Sequence, residues 1–404
     1  MRKRIFITSL IIIVFMPLWM WLAWLLSAKK QMNIFILDKT VLTEKCDEHR
    51  SLNWVLTNEK FVKADMNLYQ TEKDYMGFFP KDYDQYEVND LKGKKEAELE
   101  EMSKNLDMLY YADIYGIYYN DWYSDDWAGL SKDEKILNLF KNIFGKKSSL
   151  ERSPLIYGGI DDEDVTLLQK MKDKKKLIIT EFNLLASPSG TKNRLKIEKM
   201  FNIKWSQWVG RYFTSLDTVT NPELPPWVYR LYKAQHNGSW PFKNSGIVFV
   251  HEDETIAILE DETHLDLETP YIRTPEKFQD KYDIPDGVIY PFWFDITYSK
   301  ANNIVSYYEI HSNTKGDSVL NHHSIPKRFP AVIESPDNLF YYFCGDYSDN
   351  PININYMAKL KGIKFFRFLM YDKGDRSDRN RFFWVYYNRL VAKILNNYYD
   401  TLKK

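Results

Sequence analysis

The fold class follows from one stretch of the chain, residues 154–181, which reads PLIYGGIDDEDVTLLQKMKDKKKLIITE. It opens on a short apolar run, Pro154–Tyr157, that Gly158 and Gly159 end, and it closes on a second apolar run, Lys176–Thr180. Four consecutive acidic residues begin the amphipathic segment between the two runs, as in a helix whose N-terminal dipole favours negative charge. A strand, a helix and a strand in this order predict a parallel sheet with a crossover helix.

Similar patterns extend the predicted sheet in both directions. Asn33–Leu37 and a segment within Leu109–Tyr119 are further strands, and the first precedes a helix that Ser51 is expected to cap. Beyond residue 245, Gly246–Val250 and Thr255–Leu259 predict an antiparallel hairpin. Later strands are predicted at 288–297, 304–310, 331–333 and 339–343, and a C-terminal helix at 379–399. We therefore expect an α/β fold: a Rossmann-like, flavodoxin-type parallel sheet with added antiparallel β hairpins and a C-terminal helix.

The N-terminus carries a long uncharged apolar run, Ile5–Leu26. A helix of this length spans about 33 Å, enough to cross a hydrocarbon core of about 30 Å. A cleaved signal peptide is the alternative, but its apolar core is usually shorter, and Leu26-Ser27-Ala28 is a poor cleavage site. The run therefore predicts a transmembrane helix at 5–27 that contacts membrane lipid.

Basic residues at 2–4 exceed those at 29–30, which favours a cytoplasmic N-terminus. The predicted organisation is a cytoplasmic tail at 1–4, the single-pass anchor at 5–27 and an extracytoplasmic α/β domain at 31–404 with a β-rich region at 245–345. The predicted location is the cell membrane.

Composition narrows the classes of function. Lys and Arg number 55 against 56 for Asp and Glu, so no net positive field attracts nucleic acid. Only Cys46 and Cys344 are present, and their spacing does not show whether they pair. No Cys-x-x-Cys or His-x-x-x-His motif occurs, so neither a metal nor a cofactor is predicted.

Two segments resemble the class I glutamine-amidotransferase-like superfamily. In that family a strand ends in Gly-Gly before a helix, as in Leu155–Gly159, and the next strand, here Leu177–Glu181, delivers the nucleophile. The segment Gly345–Asp349 after the last strand is similar to the closing part of its non-catalytic ThuA-like and galactosidase-trimerisation-like relatives. Where the amidotransferases carry a cysteine, this chain has Thr180-Glu181-Phe182, and a carboxylate cannot replace the thiolate. Amidotransferase activity is therefore not expected.

Candidate site residues follow the predicted parallel strands, because ligands of open α/β sheets bind beyond the carboxyl ends of the strands. Their carboxylates could act as acid and base, bind a divalent cation or accept sugar hydroxyls; each could equally cap a helix or close an Asx-turn. The candidates are Asp38, Lys39, Asp113, Tyr115, Gly158, Gly159, Glu181, Asn183, Asp346 and Asp349.

Two further groups are binding candidates. His49 and Arg50 lie at a predicted helix N-terminus, where the dipole disfavours cations, so they indicate a binding role or an ordinary ion pair with a neighbouring carboxylate. Trp205, Trp208 and Arg211 suit an aromatic-walled sugar groove or, alternatively, the core. The loop histidines His236, His322 and His323 are expected to be structural.

Three functions are compatible with these patterns. The first is an accessory protein of the cell envelope, linked to polysaccharide synthesis, export or binding, with polysaccharide or a membrane glycosyltransferase as partner. The second is a glycan hydrolase using Glu181, Asp38 and Asp346, which needs two carboxyls about 5–5.5 Å or 6.5–9.5 Å apart. The third is a pure interaction subunit of a membrane enzyme complex.

Overall fold

The structure, a computed structural model, describes residues 14–81, 85–123, 153–267, 270–352, 356–375 and 377–403. The described helices, in chain order, are α1 Met16–Leu26, α2 Asp47–Glu59, α3 Glu96–Asn105, α4 Tyr119–Trp122, α5 Asp162–Asp173, α6 Thr191–Phe201, α7 Pro226–Gln235, α8 Glu276–Tyr282, α9 Thr314–His322, α10 Arg379–Phe382 and α11 Asn388–Leu402. A π turn, Phe383–Tyr387, joins the last two, and 3₁₀ turns cover Tyr356–Lys359 and Ile363–Leu369.

The described strands form one large sheet and three smaller ones. They are β1 Lys30–Gln31, β2 Ile34–Asp38, β3 Phe61–Val62, β4 Met76–Pro80, β5 Tyr86–Asn89, β6 Met108–Tyr111, β7 Ile117–Tyr118, β8 Leu155–Tyr157, β9 Leu177–Thr180, β10 Ile203–Phe213, β11 Gly246–His251, β12 Ile256–Glu260, β13 Tyr271–Arg273, β14 Gly287–Ile289, β15 Trp293–Ser299, β16 Asn303–Glu309, β17 Arg328–Glu334 and β18 Phe340–Phe343.

The large sheet has ten strands in the order β14-β13-β16-β17-β18-β9-β6-β2-β4-β5. Its five middle strands, β18, β9, β6, β2 and β4, are parallel to one another. Each outer strand, β5 on one side and β17, β16, β13 and β14 on the other, is antiparallel to its neighbour. The predicted parallel sheet is therefore wrong: the sheet is mixed, because the later strands extend it edge to edge through the β17–β18 pair. The first parallel strand, β2, lies between the second and third, so the chain reverses its direction of strand addition between β2 and β6, which is a topological switch point.

The run 154–157 does not join this sheet, contrary to the prediction. Its strand β8 pairs with β7 in a separate two-stranded sheet. Two glycines permit the close approach of the two backbones beside this strand pair. A Cβ on Gly158 would lie 2.6 Å from the Cα of Gly116, and one on Gly116 would lie 2.4 Å from the Cα of Gly158. The first strand of the βαβ unit is therefore β6, which pairs in parallel with β9, and α5 leads into β9 as predicted.

The N-terminal helix α1 lies against the body of the protein. Trp24 is buried and donates from its indole nitrogen to the carbonyl of Thr57 at 3.0 Å. Lys60 Nζ donates to the carbonyls of Trp24 at 2.9 Å, Leu25 at 2.8 Å and Ser27 at 2.6 Å, and so satisfies oxygens that every helix leaves free at its C-terminus.

The predicted transmembrane helix is wrong for the described part of the chain. Among the described residues, no helix combines the length and the apolar character needed to cross a membrane. Residues 5–13 of the predicted anchor, and the predicted tail at 1–4, lie outside the described residues. Within the predicted span, Trp24 is buried against the body of the protein.

The second sheet has four antiparallel strands in the order β12-β11-β10-β15 and packs on the first. The predicted hairpin at 246–259 is confirmed as the β11–β12 pair. Phe294 of β15 stacks on Phe329 of the large sheet with ring centroids 5.7 Å apart, so one core joins the two sheets. Strand β10 carries a bulge between Trp205 and Val209, where Gln207 has a φ of 75°.

The C-terminal helix is confirmed and covers the face of the large sheet. Leu390, Ile394 and Leu395 are buried against the core, and the Tyr387 hydroxyl lies 2.8 Å from that of Tyr110 on β6.

Candidate functional site

Six acidic and basic side chains converge at the carboxyl ends of the parallel strands, and we call them the strand-end cluster: Asp38, His49, Asp113, Glu181, Asp346 and Asp349. Asp38 and His49 form its centre at the switch point. Both are fully buried, with Asp38 Oδ2 2.7 Å from His49 Nδ1. His49 Nε2 donates to the carbonyl of Thr71 at 2.9 Å, because a carbonyl can only accept. The pair is therefore an imidazolium with a carboxylate or an imidazole with a carboxylic acid, and it is neutral overall in both cases.

Helix α2 delivers His49 to this position. It begins at Asp47, four residues before the predicted cap Ser51, because Asp47 and Glu48 fit the positive end of the helix dipole. Ser51 is buried in the helix, and its amide donates to the carbonyl of Ser348 at 3.2 Å. The predicted cap is therefore wrong, and the helix instead ties the cluster to the segment after β18.

Lys39 is a structural link and not an open ligand. It is fully buried, and its Nζ donates to the Gly159 carbonyl at 2.8 Å, to Asp164 at 2.8 Å and to Asp161 at 3.0 Å. Burial lowers the pKa of Lys39, but Asp164 and Asp161 outweigh it, and the pKa is raised overall. Gly158 and Gly159 have φ angles of 146° and 76°, so they form the tight turn that presents this carbonyl.

Asp113 lies beside Asp38 across the switch point. Its Oδ1 accepts the amide of Tyr115 at 2.7 Å, and its carbonyl accepts the amide of Lys39 at 2.7 Å. Burial raises the pKa of Asp113 to about 7, and the charges of Asp38 and Asp349 add to this. The ring of Tyr115 is half-buried and packs on Tyr118, 5.0 Å away.

Glu181 is enclosed and fully hydrogen-bonded. Its Oε2 accepts from the amides of Tyr347 and Ser348 and from the Ser348 hydroxyl, each at 3.0 Å, and Tyr110 donates to Oε1. Burial raises the pKa of Glu181 to about 8, although these hydrogen bonds oppose the rise. Glu181 therefore holds the segment after β18 in place.

Asp346 and Asp349 complete the cluster. Asp346 is 4 % exposed, and its Oδ1 is buried with no hydrogen-bond partner among the described residues. Burial raises the pKa of Asp346 well above its usual range, with Asp349 and Asp113 adding to the effect. Asp349 pairs with Arg379 at 2.7 Å.

Arg211 lies near this pair. It stacks on Phe213 and Phe292, each 4.6 Å from the guanidinium carbon, and forms an ion pair with Glu223. Burial lowers the pKa of Arg211 to about 10, and Arg379 adds to the effect while Glu223 opposes it.

The remaining candidates do not join the cluster. Arg50 turns toward the carbonyl of Lys45 and pairs with Asp47 at 2.7 Å, the ordinary ion pair that the sequence left open. Asn183 takes a left-handed conformation, φ 64°, in the buried turn after β9. Within the described ranges, no three His, Cys, Asp or Glu side chains are placed to hold a metal ion. The cluster therefore joins one compensated pair, Asp38 and His49, to buried carboxyl groups, Asp113 and Asp346, whose pKa values burial and neighbouring carboxylates raise.

A second site lies at the bulge of β10, and we call it the bulge cleft. It is a cavity of about 510 Å³ that opens to solvent. Its lining residues are Arg194, Leu195, Glu198, Lys204, Trp205, Ser206, Gln207, Trp208, His251, Tyr298, His323 and Ser324. The bulge turns two successive indoles, Trp205 and Trp208, toward the same region, and the indole nitrogen of Trp205 donates to the carbonyl of Trp208 at 3.0 Å.

Basic and aromatic groups surround the two indoles. The Trp208 ring lies 4.8 Å from that of His251 and 5.6 Å from that of His323, and Arg194 lies 5.4 Å from the ring of Trp205. Burial lowers the pKa of His323, and nearby histidines, first among them His322, add to this.

The sequence indicated only part of this cleft. The clustered tryptophans predicted either an aromatic groove or core residues. Trp205 and Trp208 are buried side chains that also line the cleft. Arg194, His251 and His323 were missed, because they come from α6, the end of β11 and the turn after α9, which only the folded chain brings together. His323 was expected to be structural.

The two cysteines are separate. Cys46 and Cys344 are both buried free thiols, and burial raises the pKa of each. Neither follows β9, where the amidotransferase nucleophile would stand.

Comparison of the chain with protein-family models and with curated proteins gives no match to either. The resemblance to the glutamine-amidotransferase-like superfamily therefore stays a prediction.

Proposed function

We propose that the chain is an accessory protein of the cell envelope that binds polysaccharide in the bulge cleft, without amidotransferase activity. One observation carries the proposal: a solvent-open cleft of about 510 Å³ combines aromatic rings with hydrogen-bonding side chains from several elements. This volume lies within the usual range for small-ligand sites, about 300–1,000 Å³.

The residues that line the cleft match both the apolar faces and the polar edges of a sugar ring. Pyranose rings present flat apolar faces, for which the Tyr298 ring, 40 % exposed at the rim, offers a stacking surface. Their edges carry hydroxyls, for which the lining offers the Glu198 carboxylate as acceptor and the exposed Gln207 amide as donor, whereas Arg194 is held by an ion pair with Glu252. The lining can therefore meet both the apolar face and the hydroxyl edge of a sugar residue.

The enclosed carboxylates favour binding over the alternative of glycan hydrolysis. Asp38 and Glu181 are 0 % and 1 % exposed, and both hold hydrogen bonds that fix the protein's own backbone. A glycosidic oxygen would have to displace these partners to reach either carboxyl group. The hydrolase, the interaction subunit, the glycosyltransferase partner and the extracytoplasmic location stay predictions.

Retention of the full chain on immobilised polysaccharides tests the proposal. Tyr298→Ala removes the stacking ring, and Tyr86→Ala is the matched control, because Tyr86 is also a strand tyrosine with 40 % exposure but lies on β5 at the far edge of the large sheet. We expect Tyr298→Ala to weaken binding by about 2- to 10-fold and Tyr86→Ala to leave it unchanged.

Two results count against the proposal. Absence of retention on every polysaccharide tested would remove the binding function, and equal losses in the two variants would place the ligand outside the cleft.

A further inference from the structure

Two segments far apart in the sequence, α1 and the 3₁₀ turn Ile363–Leu369, both expose large apolar side chains. On α1, Trp24 and Met20 face the protein, while the other side leaves Leu18, Trp19 and Leu26 exposed by 44 %, 52 % and 83 %. Soluble proteins scatter such residues singly, so a run of them on one helix needs an explanation.

A second exposed segment lies beside this helix. The 3₁₀ turn Ile363–Leu369 buries Ile363 but exposes Phe365 by 81 %, Phe368 by 46 % and Leu369 by 67 %. The amide of Lys361, two residues before the turn, donates to the carbonyl of Met20 at 3.0 Å, which fixes the turn against α1. The sequence pattern gave no indication of this segment.

Basic residues surround the exposed rings. Between residues 359 and 373 the chain carries five cationic side chains and one aspartate. Lys361 is exposed, and Lys373 Nζ lies 5.1 Å from the centre of the Phe368 ring. Large apolar side chains ringed by lysine and arginine, with tryptophan nearby, are typical of surfaces that enter the boundary between lipid headgroups and acyl chains.

We infer that the outer side of α1 and the turn Phe365–Leu369 form one membrane-contact surface that binds an anionic bilayer. The rings enter the interface, and Lys361, Arg367 and Lys373 lie at the level of the anionic headgroups, where each cation adds to the attraction. Charge complementarity selects a bilayer over a second copy of the chain, because two such basic rims would repel each other.

A fluorescent probe on the full chain tests the surface. The change Phe365→Cys supplies a reactive thiol for an environment-sensitive dye, since Cys46 and Cys344 are buried. Val219→Cys is the control, because Val219 is 89 % exposed on a loop remote in sequence from both segments. The probes are vesicles of phosphatidylcholine alone and of phosphatidylcholine mixed with phosphatidylglycerol.

We expect the dye at position 365 to shift to the blue and to be quenched by spin-labelled lipid in the anionic vesicles, and the dye at 219 to do neither. Reversing two charges, Lys361→Glu with Lys373→Glu, should weaken anionic binding by at least about tenfold.

Three outcomes would overturn the inference. One is a dye at 365 that stays in water while the protein floats with the vesicles. Another is equal binding to neutral and anionic vesicles that charge reversal leaves unchanged. The third is a blue shift that depends on protein concentration without lipid, which would identify a second copy as the occupant.

Discussion

Replacing Lys39 by methionine tests whether the switch point depends on a buried ion pair. Methionine keeps most of the side-chain volume but removes the charge, so packing changes little. Asp161 is 31 % exposed and can turn to water, whereas Asp164 is 1 % exposed and cannot. The variant therefore leaves one buried carboxylate whose Oδ2 keeps only the backbone amide of Asp161, at 2.9 Å.

The expected loss in the free energy of unfolding is about 3–5 kcal/mol, the usual cost of removing one partner of a buried ion pair. Lys192→Met is the matched control. Lys192 pairs at 2.9 Å with Asp162, which lies on α5 like Asp164, but both side chains of this pair are exposed. That pair should contribute no more than about 1 kcal/mol. Urea unfolding of both variants, followed by far-UV circular dichroism, measures the two losses.

The dependence on pH gives a second check. Burial raises the pKa of Asp164, and Lys39 opposes the rise. Without Lys39 the folded-state pKa rises further above the unfolded value, so this carboxyl favours folding at low pH and loses that effect as pH increases. The deficit of Lys39→Met should therefore grow from pH 5 to pH 8. Losses of about 1 kcal/mol or less in both lysine variants would show that the Asp164 carboxylate does not depend on Lys39.

Three further predictions concern other positions. Gly158→Ala should destabilise the fold by about 2–4 kcal/mol, because the added Cβ meets the Cα of Gly116, whereas Gly238→Ala, with open space around it, should cost only about 1 kcal/mol in urea unfolding. Burial raises the pKa of Asp295 to about 7, so its contribution to stability is present at pH 4 and lost toward pH 8; Asp295→Asn should flatten this slope in the same assay. Burial lowers the pKa of His323, so its ring gains a proton only below the usual histidine range; polysaccharide retention should weaken as the pH falls below that range, because the proton brings a charge into the cleft beside His322 and His251, and His323→Gln should reduce this dependence.

The sequence was a good guide to local structure. Apolar period and turn residues located strands such as β2, β9 and the β11–β12 hairpin, because these patterns act within a few residues. The sheet to which a short strand belongs was not predictable in the same way: β8 has only three residues, and its partner is set by the approach of Gly116 and Gly158.

The features of the two candidate sites that the sequence did not predict depend on contacts between residues far apart in the chain. Asp38, Asp113 and Asp346 were predicted to converge from strand order alone, and they do lie together at the strand ends. Their enclosure was not predictable, since it depends on partners such as His49 and on the segment after β18. The cleft depends in the same way on His251 and His323, whose separation in sequence gives no signal of their proximity.

Hydrogen exchange of the full chain, with and without a retained polysaccharide, tests most directly whether the ligand binds in the bulge cleft. Binding in the bulge cleft predicts slower exchange of amides in the segment 203–209 and around His251 and His323, with residues 110–115 and 345–349 unchanged. Slower exchange confined to residues 110–115 and 345–349 would place the ligand at the strand-end cluster and would exclude binding in the bulge cleft.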